Sequence, residues 1–231
     1  MLPILSSLIL TFFSVWSPSN QGIEVDKRII EEKGDYYNIS VEYPLFKDNR
    51  YGSYLETINN VFEQQAQEKF HGSKEHAEVY QYLAKKREVP LEYSSSFTVP
   101  LNQNGLLSVL YKHYEFSNGP KDFSYPYAKT FDLQSEKELA LFDLFQEHTH
   151  YKDFLFKKIT KELQKYTNNA DFKSLGERPK YYLKPSCLVI FALPGEYLPI
   201  NHEIPYIEIG YEELRPYLKK EYKKLLLQHH Y

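Results

Sequence analysis

The sequence predicts an α+β fold in which helices pack on an antiparallel sheet. Strand-like alternation of apolar and polar residues recurs in groups, and stretches with helical spacing are inserted between these groups. Tyrosine and phenylalanine, which favour strands, number 22 and 15 against nine glycines. This excess favours a sheet-rich core, and a ring surface that stacks on sugars is the alternative interpretation.

The first third of the domain predicts one strand and then a helix. Residues 24–34 read as a charged connector. At Tyr36–Pro44 apolar and polar residues alternate until a proline stops the pattern, which predicts a half-buried strand. Ser53 and Glu56 form a capping-box pattern, so a helix is predicted from here to about residue 70.

The rest of the chain continues the mixture. A second helical stretch is predicted from Lys74 to about Arg87. Two alternating runs, at 91–99 and 106–116, flank Asn-Gln-Asn-Gly and predict a long hairpin. The later predicted elements are a strand at Tyr127–Leu133, a short segment at Leu139–Phe145, a helix at Tyr151–Tyr166, strands at Tyr181–Leu183, Leu188–Leu193 and Ile204–Ile209, and a helix from Glu212 to about Gln228 that contains Pro216 early or breaks at it.

The N-terminal residues predict the compartment. Leu2 to Trp16 is almost wholly apolar, which is the length of a signal-peptide core and shorter than the ~20 residues of a membrane span. We therefore expect residues 1–20 to be a signal peptide or an N-terminal anchor, and 21–231 to form a single extracytoplasmic domain. The protein would be secreted, or held at the membrane by residues 2–17. An intracellular protein whose first 20 residues are retained and buried is the remaining alternative.

Charge and cysteine content narrow the possible partners. The formal net charge is −3, which argues against nucleic acid and leaves room for a cationic protein partner. Cys187 is the only cysteine, so an intramolecular disulfide and a cysteine-based zinc site are both impossible. It lies in an apolar run at 186–191, which predicts a buried and unreactive thiol.

Two fragments are similar to metal-binding motifs of polysaccharide deacetylases: Thr130-Phe131-Asp132 and His148-Thr149-His150. The chemistry requires an acid directly after Asp132, where Leu133 stands, and a ligand four residues after His148, where Lys152 stands. Without a third ligand, the two histidines read as a solvated pair. The sequence predicts no catalytic residue, metal site or cofactor.

Several segments occur in an order found in a known family. They are residues 37–44, the helix around 58–62, the strand 127–133 with the following 137–145, residues 182–191, 204–206 and 212–214. Together they resemble the extracytoplasmic domain shared by the lysozyme-sensing anti-sigma factor RsiV and the non-catalytic N-terminal region of the peptidoglycan deacetylase PdaC. The resemblance covers most of residues 34–218. Lys121 occupies the position where this family commonly has a histidine, so the partner is expected to differ.

The resemblance implies a non-enzymatic binding domain that recognises a cell-wall glycan or a glycan-acting protein such as lysozyme. A cell-wall-active enzyme of unrecognised type is the alternative. Binding residues are expected in the loop before the strand at 127–133, because a sheet fixes the ends of such a loop. The contact candidates are Asn118, Gly119, Lys121, Phe123, Tyr125 and Tyr127.

Overall fold

The computed structural model describes residues 13–14, 22–116, 123–166, 172–193, 195–198 and 204–227. Its strands are β1 Phe13–Ser14, β2 Glu24–Lys33, β3 Tyr37–Lys47, β4 Leu91–Gln103, β5 Leu106–Phe116, β6 Phe123–Asp132, β7 Lys137–Glu138, β8 Lys180–Leu183, β9 Cys187–Phe191 and β10 Tyr206–Gly210. Its helices are α1 Gly52–Arg87, α2 Tyr151–Leu163, α3 Tyr211–Leu214 and α4 Lys220–Leu226, with 3-10 turns at Asn49–Tyr51 and Leu141–Leu144.

The predicted α+β class is confirmed, with one change to the sheet. A seven-stranded sheet has the order β1-β2-β3-β4-β5-β6-β7, and a second sheet has the order β10-β9-β8. Strand β3 pairs with β4 in parallel, with Tyr37 opposite Leu91 and Val41 opposite Ser95. The larger sheet is therefore mixed, because α1 carries the chain back between these two parallel strands.

The contacts of the chain define two compact units. Unit 1 comprises Met1–Thr98 and Tyr111–Pro126, and unit 2 comprises Val99–Leu110 and Tyr127–Tyr231. In unit 1, small buried side chains of α1 pack on the sheet: Ala66, Ala77 and Ala84 meet buried residues of β3 and β4, namely Ile39, Val41, Leu91 and Tyr93. Small residues let the helix backbone approach the strands closely, and this contact forms one part of the core of unit 1. Leu55, Ile58 and Phe62 of the same helix are also buried.

The charged segment 24–34, predicted as a connector, is strand β2, so that prediction was wrong. It pairs with β3 in antiparallel register from Glu24 opposite Lys47 to Lys33 opposite Asn38. Seven of its ten residues are charged, and six of the ten are half-buried. Charges suit a strand near a sheet edge, where they discourage pairing with other chains, and they hid the alternation that would have revealed it.

Strand β3 does not stop at Pro44, contrary to the prediction, but continues to Lys47. The parallel pairing with β4 extends only from Tyr37 to Val41. Beyond Val41 one side of β3 has no partner strand within the described ranges. A proline at this position therefore removes no N–H that a neighbouring strand needs.

The two helical stretches predicted at 53–70 and 74–87 are one helix, α1, of 36 residues. It begins at Gly52 after a 3-10 turn whose first amide, Arg50 N, is capped by the Asp48 side chain, so the capping box expected at Ser53 was wrong. Gly72 lies within this helix on an exposed face, where a side chain would meet nothing within 4 Å of its Cβ. It costs helix stability but does not break the helix.

The predicted hairpin is confirmed as β4 and β5. Its two turn residues, Asn104 and Gly105, have φ angles of 54° and 79°, the left-handed values that a tight hairpin turn requires. Within unit 2 the Asn104 side chain also donates to the backbone oxygen of Leu225 at 2.9 Å. The turn is thereby attached to α4.

The core of unit 2 is built around α2 and the second sheet. Leu155, Ile159 and Leu163 of α2 are fully buried among residues of β8, β9 and β10. The C-terminal helix predicted from residue 212 is divided into α3 and α4, which confirms Pro216 as the break. Cys187 is buried as predicted, and burial raises the pKa of its thiol, so it is a poor nucleophile.

Candidate functional site

The predicted contact residues before β6 fall into two groups. Phe123, Tyr125 and Tyr127 lie in strand β6, of which Phe123 is the first residue, and not in a loop. Tyr125 is 39% exposed and Tyr127 is half-buried. Strand β6 begins four residues earlier than the sequence pattern indicated, at Phe123 and not at Tyr127. The other three candidates lie outside the described residues: Asn118, Gly119 and Lys121. Their role in binding stays a prediction.

The residues that are similar to deacetylase motifs have structural roles. The Asp132 Oδ1 atom accepts hydrogen bonds from the backbone N–H groups of Gln134 at 3.0 Å and Ser135 at 3.2 Å, which closes the turn after β6. Exposed His150 lies 3.6 Å from the carboxylate of Asp153. Within the described ranges, no three His, Cys, Asp or Glu side chains are placed to share a metal ion.

Unit 1 contains an open groove of about 670 Å³ between α1 and the sheet. Strands β2 and β3 supply its floor, with half-buried Ile29, Ile30, Tyr43 and Leu45. Arg28 lies at the same strand edge. The volume falls within the range of about 300–1,000 Å³ that is usual for ligand-binding clefts.

Helix α1 supplies the other wall through side chains that recur every three or four residues: Asn59, Glu63, Gln67, Phe70 and His71. This row lies beside the helix face that carries the core residues. Asn59 fixes the helix on β3, because its Nδ2 donates to Phe46 O at 2.9 Å and its Oδ1 accepts from Phe46 N at 2.8 Å. The wall is therefore held in a defined position relative to the floor.

Two polar side chains of the wall are available to a ligand. Within the described part of the chain, the exposed Glu63 carboxylate and Gln67 side-chain amide make neither a hydrogen bond nor an ion pair. Glu63 also affects Tyr43 on the floor of the groove. Burial, and then the charge of Glu63, raise the pKa of Tyr43, whereas the charge of Arg28 lowers it. Tyr43 therefore stays a neutral ring with a hydroxyl at neutral pH.

Two ion pairs within unit 1 hold α1 near the His71 end of the wall. The Glu32 carboxylate accepts from Tyr37 Oη at 2.6 Å and from Lys74 Nζ at 2.9 Å, and these contacts hold the pKa of Glu32 below its ordinary value. Lys69 Nζ lies 2.5 Å from the Glu115 carboxylate. These bridges attach α1 to β2 and to β5.

Sequence reasoning missed this groove because its residues come from three segments, at 28–30, 43–45 and 59–71. Each segment has an ordinary strand or helix pattern, and one of them was interpreted as a connector. A signal was nevertheless present. Polar Asn59, Glu63 and Gln67 recur at i, i+4 and i+8 directly beside the apolar row of the same helix.

None of the helices that the structure describes combines the length and the apolar content of a transmembrane span. Of the apolar segment at 2–17 only Phe13 and Ser14 are described, and they pair with Lys27 and Asp26 of β2. The prediction of a signal peptide or anchor stays a prediction.

Comparison with known proteins gives a match to one family model and several solved structures of similar fold. Residues 30–119 match the family model described as "Deacetylase PdaC", and this segment contains β3, α1 and most of the groove. A DUF3298 family member from Bacteroides fragilis has a TM-score of 0.64 at 16% identity, covering 87% of this chain and 96% of that one. A DUF3298 protein from Pseudomonas aeruginosa PAO1 has a TM-score of 0.53 at 12% identity, covering 93% and 96%.

No curated protein matches the chain in sequence. At these identities the two structures show a common fold and nothing further. The resemblance stated from the sequence is confirmed: the chain carries the PdaC family pattern in residues 30–119 on the fold of the DUF3298 proteins.

Proposed function

We propose that this protein is a non-enzymatic extracytoplasmic domain that binds a cell-wall glycan in the groove between α1 and strands β2 and β3. One observation carries the proposal. The groove combines the aromatic rings of Tyr43 and Phe70 with the uncommitted carboxylate of Glu63 and amide of Gln67.

This combination suits a sugar ring. One face of a pyranose is apolar and stacks on an aromatic ring, while its edge presents hydroxyl and acetamido groups to planar polar side chains. Half-buried rings, Tyr43 on the floor and Phe70 on the wall, provide the first kind of contact, and the exposed carboxylate and amide groups on the wall provide the second. A glycan also tolerates an open groove, since it can extend beyond both ends.

The family match supports the location of the site. The matched segment, residues 30–119, contains eight of the ten groove residues. The resemblance to the non-catalytic region of a peptidoglycan deacetylase and the apolar N-terminal segment both suit a protein that works outside the cytoplasmic membrane. Peptidoglycan is therefore the first glycan to test.

A glycan-acting protein such as lysozyme is the second candidate partner. The exposed Tyr125 on β6 and the net charge of −3 favour it, because lysozyme-type proteins are generally cationic. A partner of this kind would contact the segment that contains Lys121, Phe123 and Tyr125, and the groove would be left open.

The test is saturation binding of the full-length chain to insoluble purified peptidoglycan, with and without the double substitution Glu63→Gln and Gln67→Ala. Glu63→Gln replaces a charged acceptor with a weaker neutral one and Gln67→Ala removes a hydrogen-bonding group, so the apparent affinity should be weaker by on the order of 10- to 100-fold. The same proteins are tested against immobilised lysozyme, where Tyr125→Ser should weaken binding and the groove variant should not.

The matched control is Gln64→Ala with Glu68→Gln. These exposed residues lie one position further along α1, away from the groove. Gln64 Nε2 donates to Glu68 Oε1 at 2.8 Å. The control should bind peptidoglycan as the unsubstituted chain does. Equal binding by the groove variant would contradict the groove as the site, and release of new reducing ends from peptidoglycan would contradict a non-enzymatic role.

A further inference from the structure

The exposed hydrophobic side chains of the described residues are concentrated at one end of unit 1. Nine large hydrophobic side chains are exposed, and five of them lie on the last turns of α1 or on the two loops beside them: Tyr36, Val79, Tyr80, Tyr82 and Val89. Val79 is 66% exposed and Tyr82 is 57% exposed. Single exposed hydrophobic residues are ordinary, whereas a concentration of this kind marks an interaction surface.

Contacts within unit 1 show that these side chains form one surface. Val79, Tyr82 and Lys86 follow at i, i+3 and i+7, so they share one face of α1. The rings of Tyr80 and Tyr82 lie 6.4 Å apart. Lys85 Nζ lies 4.7 Å from the centre of the Tyr36 ring, which joins the helix to the turn between β2 and β3.

The C-terminal tip of this surface is basic. The last turn of α1 contains three consecutive exposed cations, Lys85, Lys86 and Arg87, followed by a single exposed acid, Glu88. Residues 82–89 therefore carry a net charge of +2, from three basic residues and one acidic residue, while the whole chain carries −3. The positive charge is thus confined to the last turn of α1, because the exposed acids Asp35 and Glu78 lie beside Tyr36 and Val79 in the sequence.

We propose that this end of unit 1 docks on the anionic surface of a phospholipid bilayer. We name it the basic aromatic end and define it by Tyr36, Val79, Tyr82, Lys85, Lys86 and Arg87. Tyrosine rings and aliphatic tips insert at the level of the lipid headgroups, and lysine and arginine pair with anionic headgroups. The feature is a helix end beside two loops, a shape that a flat, deformable surface can accept.

This proposal is independent of glycan binding and adds a second kind of contact to the one expected from the N-terminal segment. The basic aromatic end and the groove occupy different parts of α1, at 79–87 and 59–71. A domain held at the membrane by this end would keep the groove available to the wall.

The test is co-sedimentation of the full-length chain with large unilamellar vesicles. Vesicles that contain phosphatidylglycerol are compared with vesicles of phosphatidylcholine alone, at low and at high salt. Lys86→Gln with Arg87→Gln should weaken partitioning to the anionic vesicles on the order of 30-fold, since each basic residue near such a surface strengthens binding by about 5-fold. Tyr82→Ser should weaken it independently of salt.

The charge-matched control is Lys157→Gln with Lys161→Gln, which removes two exposed cations from α2. It should partition as the unsubstituted chain does, and any affinity that the N-terminal residues have for lipid is common to all four proteins. Equal partitioning of the Lys86 and Arg87 variant and the control would overturn the proposal. So would self-association that Tyr82→Ser abolishes in a chain that does not bind vesicles.

Discussion

Units 1 and 2 use their polar side chains in opposite ways. In unit 2 the buried polar groups are committed to the fold: Ser108 Oγ bonds Thr130 Oγ1 at 2.6 Å and accepts from Leu183 N at 3.0 Å, and the Tyr181 hydroxyl donates to Leu139 O at 2.8 Å. In unit 1 the Glu63 carboxylate and the Gln67 amide line a groove and have no hydrogen-bond or ion-pair partner among the residues that the structure describes.

The hydrophobic residues show the same contrast. Unit 2 gathers its aliphatic and aromatic side chains into an extensive core around α2 and the second sheet. Unit 1 packs α1 on the strands through Leu55, Ile58 and Phe62 as well as alanines, and it leaves five large hydrophobic side chains exposed at one end. The difference teaches that unit 2 has the character of a scaffold, and that the surfaces suited to recognition lie in unit 1.

The largest expected effect is on the scaffold. Leu155→Ala removes a fully buried side chain from the core of unit 2, so we expect the free energy of unfolding to fall by about 2–5 kcal/mol. Urea denaturation measures the change, and Lys157→Ala on the exposed face of the same helix is the control. If unit 2 is a scaffold, the folded fraction of Leu155→Ala still saturates peptidoglycan. A folded variant that no longer binds would break the contrast between the units.

A smaller effect is expected from the buried hydroxyl of unit 2. Ser108→Ala leaves the Leu183 N–H without its acceptor, which should cost about 1–3 kcal/mol of stability in urea denaturation. Thr130→Val removes the other partner of Ser108 and a contact with the Tyr181 hydroxyl, but it leaves the Leu183 N–H with its acceptor and should cost less. Equal costs would show that the Leu183 bond is unimportant for unit 2.

The smallest effect concerns a histidine of unit 1. Burial, and then the charge of Lys69, lower the pKa of His113 to about 4, while Glu115 opposes the shift. Because the unfolded chain takes up this proton near pH 6.5 and the folded chain does not, the stabilising contribution is complete above pH 6.5. It is lost as the pH falls from about 6.5 towards 4.

His113→Gln tests this contribution, which is on the order of 1–2 kcal/mol after solvent screening is allowed for. Urea midpoints measured between pH 4 and pH 7.5 should show a shallower acid slope for the variant than for the unsubstituted chain. The Lys69–Glu115 pair remains in place and serves as the internal control. An unchanged slope would mean that His113 titrates normally and that its surroundings are more open.

Much of the fold was predictable because the apolar spacing is strong. The row Leu55, Ile58 and Phe62 predicts α1, and Asn104-Gly105 predicts the β4–β5 turn. Strand β2 was not predictable from alternation, because it is a charged strand near the sheet edge. It is held by ladder hydrogen bonds to β3, which leave no pattern in the side chains. The continuity of α1 was missed because exposed Gly72 reads as a break, although packing on both sides holds the helix together.

The candidate site was less accessible from the sequence than the fold. A groove depends on which elements pack together, and Ile29, Tyr43 and Glu63 are brought together only when β2 is known to be a strand. The loop site was inferred from the resemblance, and its described residues, Tyr125 and Tyr127, lie in β6. Position in the chain therefore predicted the region of β6 but not its conformation.

The central claim is that a wall glycan binds in the groove of unit 1. Hydrogen–deuterium exchange, measured by mass spectrometry with and without soluble peptidoglycan fragments, tests it directly. The account predicts slower exchange at residues 43–45 and 59–71, with no change at 151–163 or 180–191 in unit 2. Protection confined to unit 2, or identical exchange under saturating fragments, would contradict it.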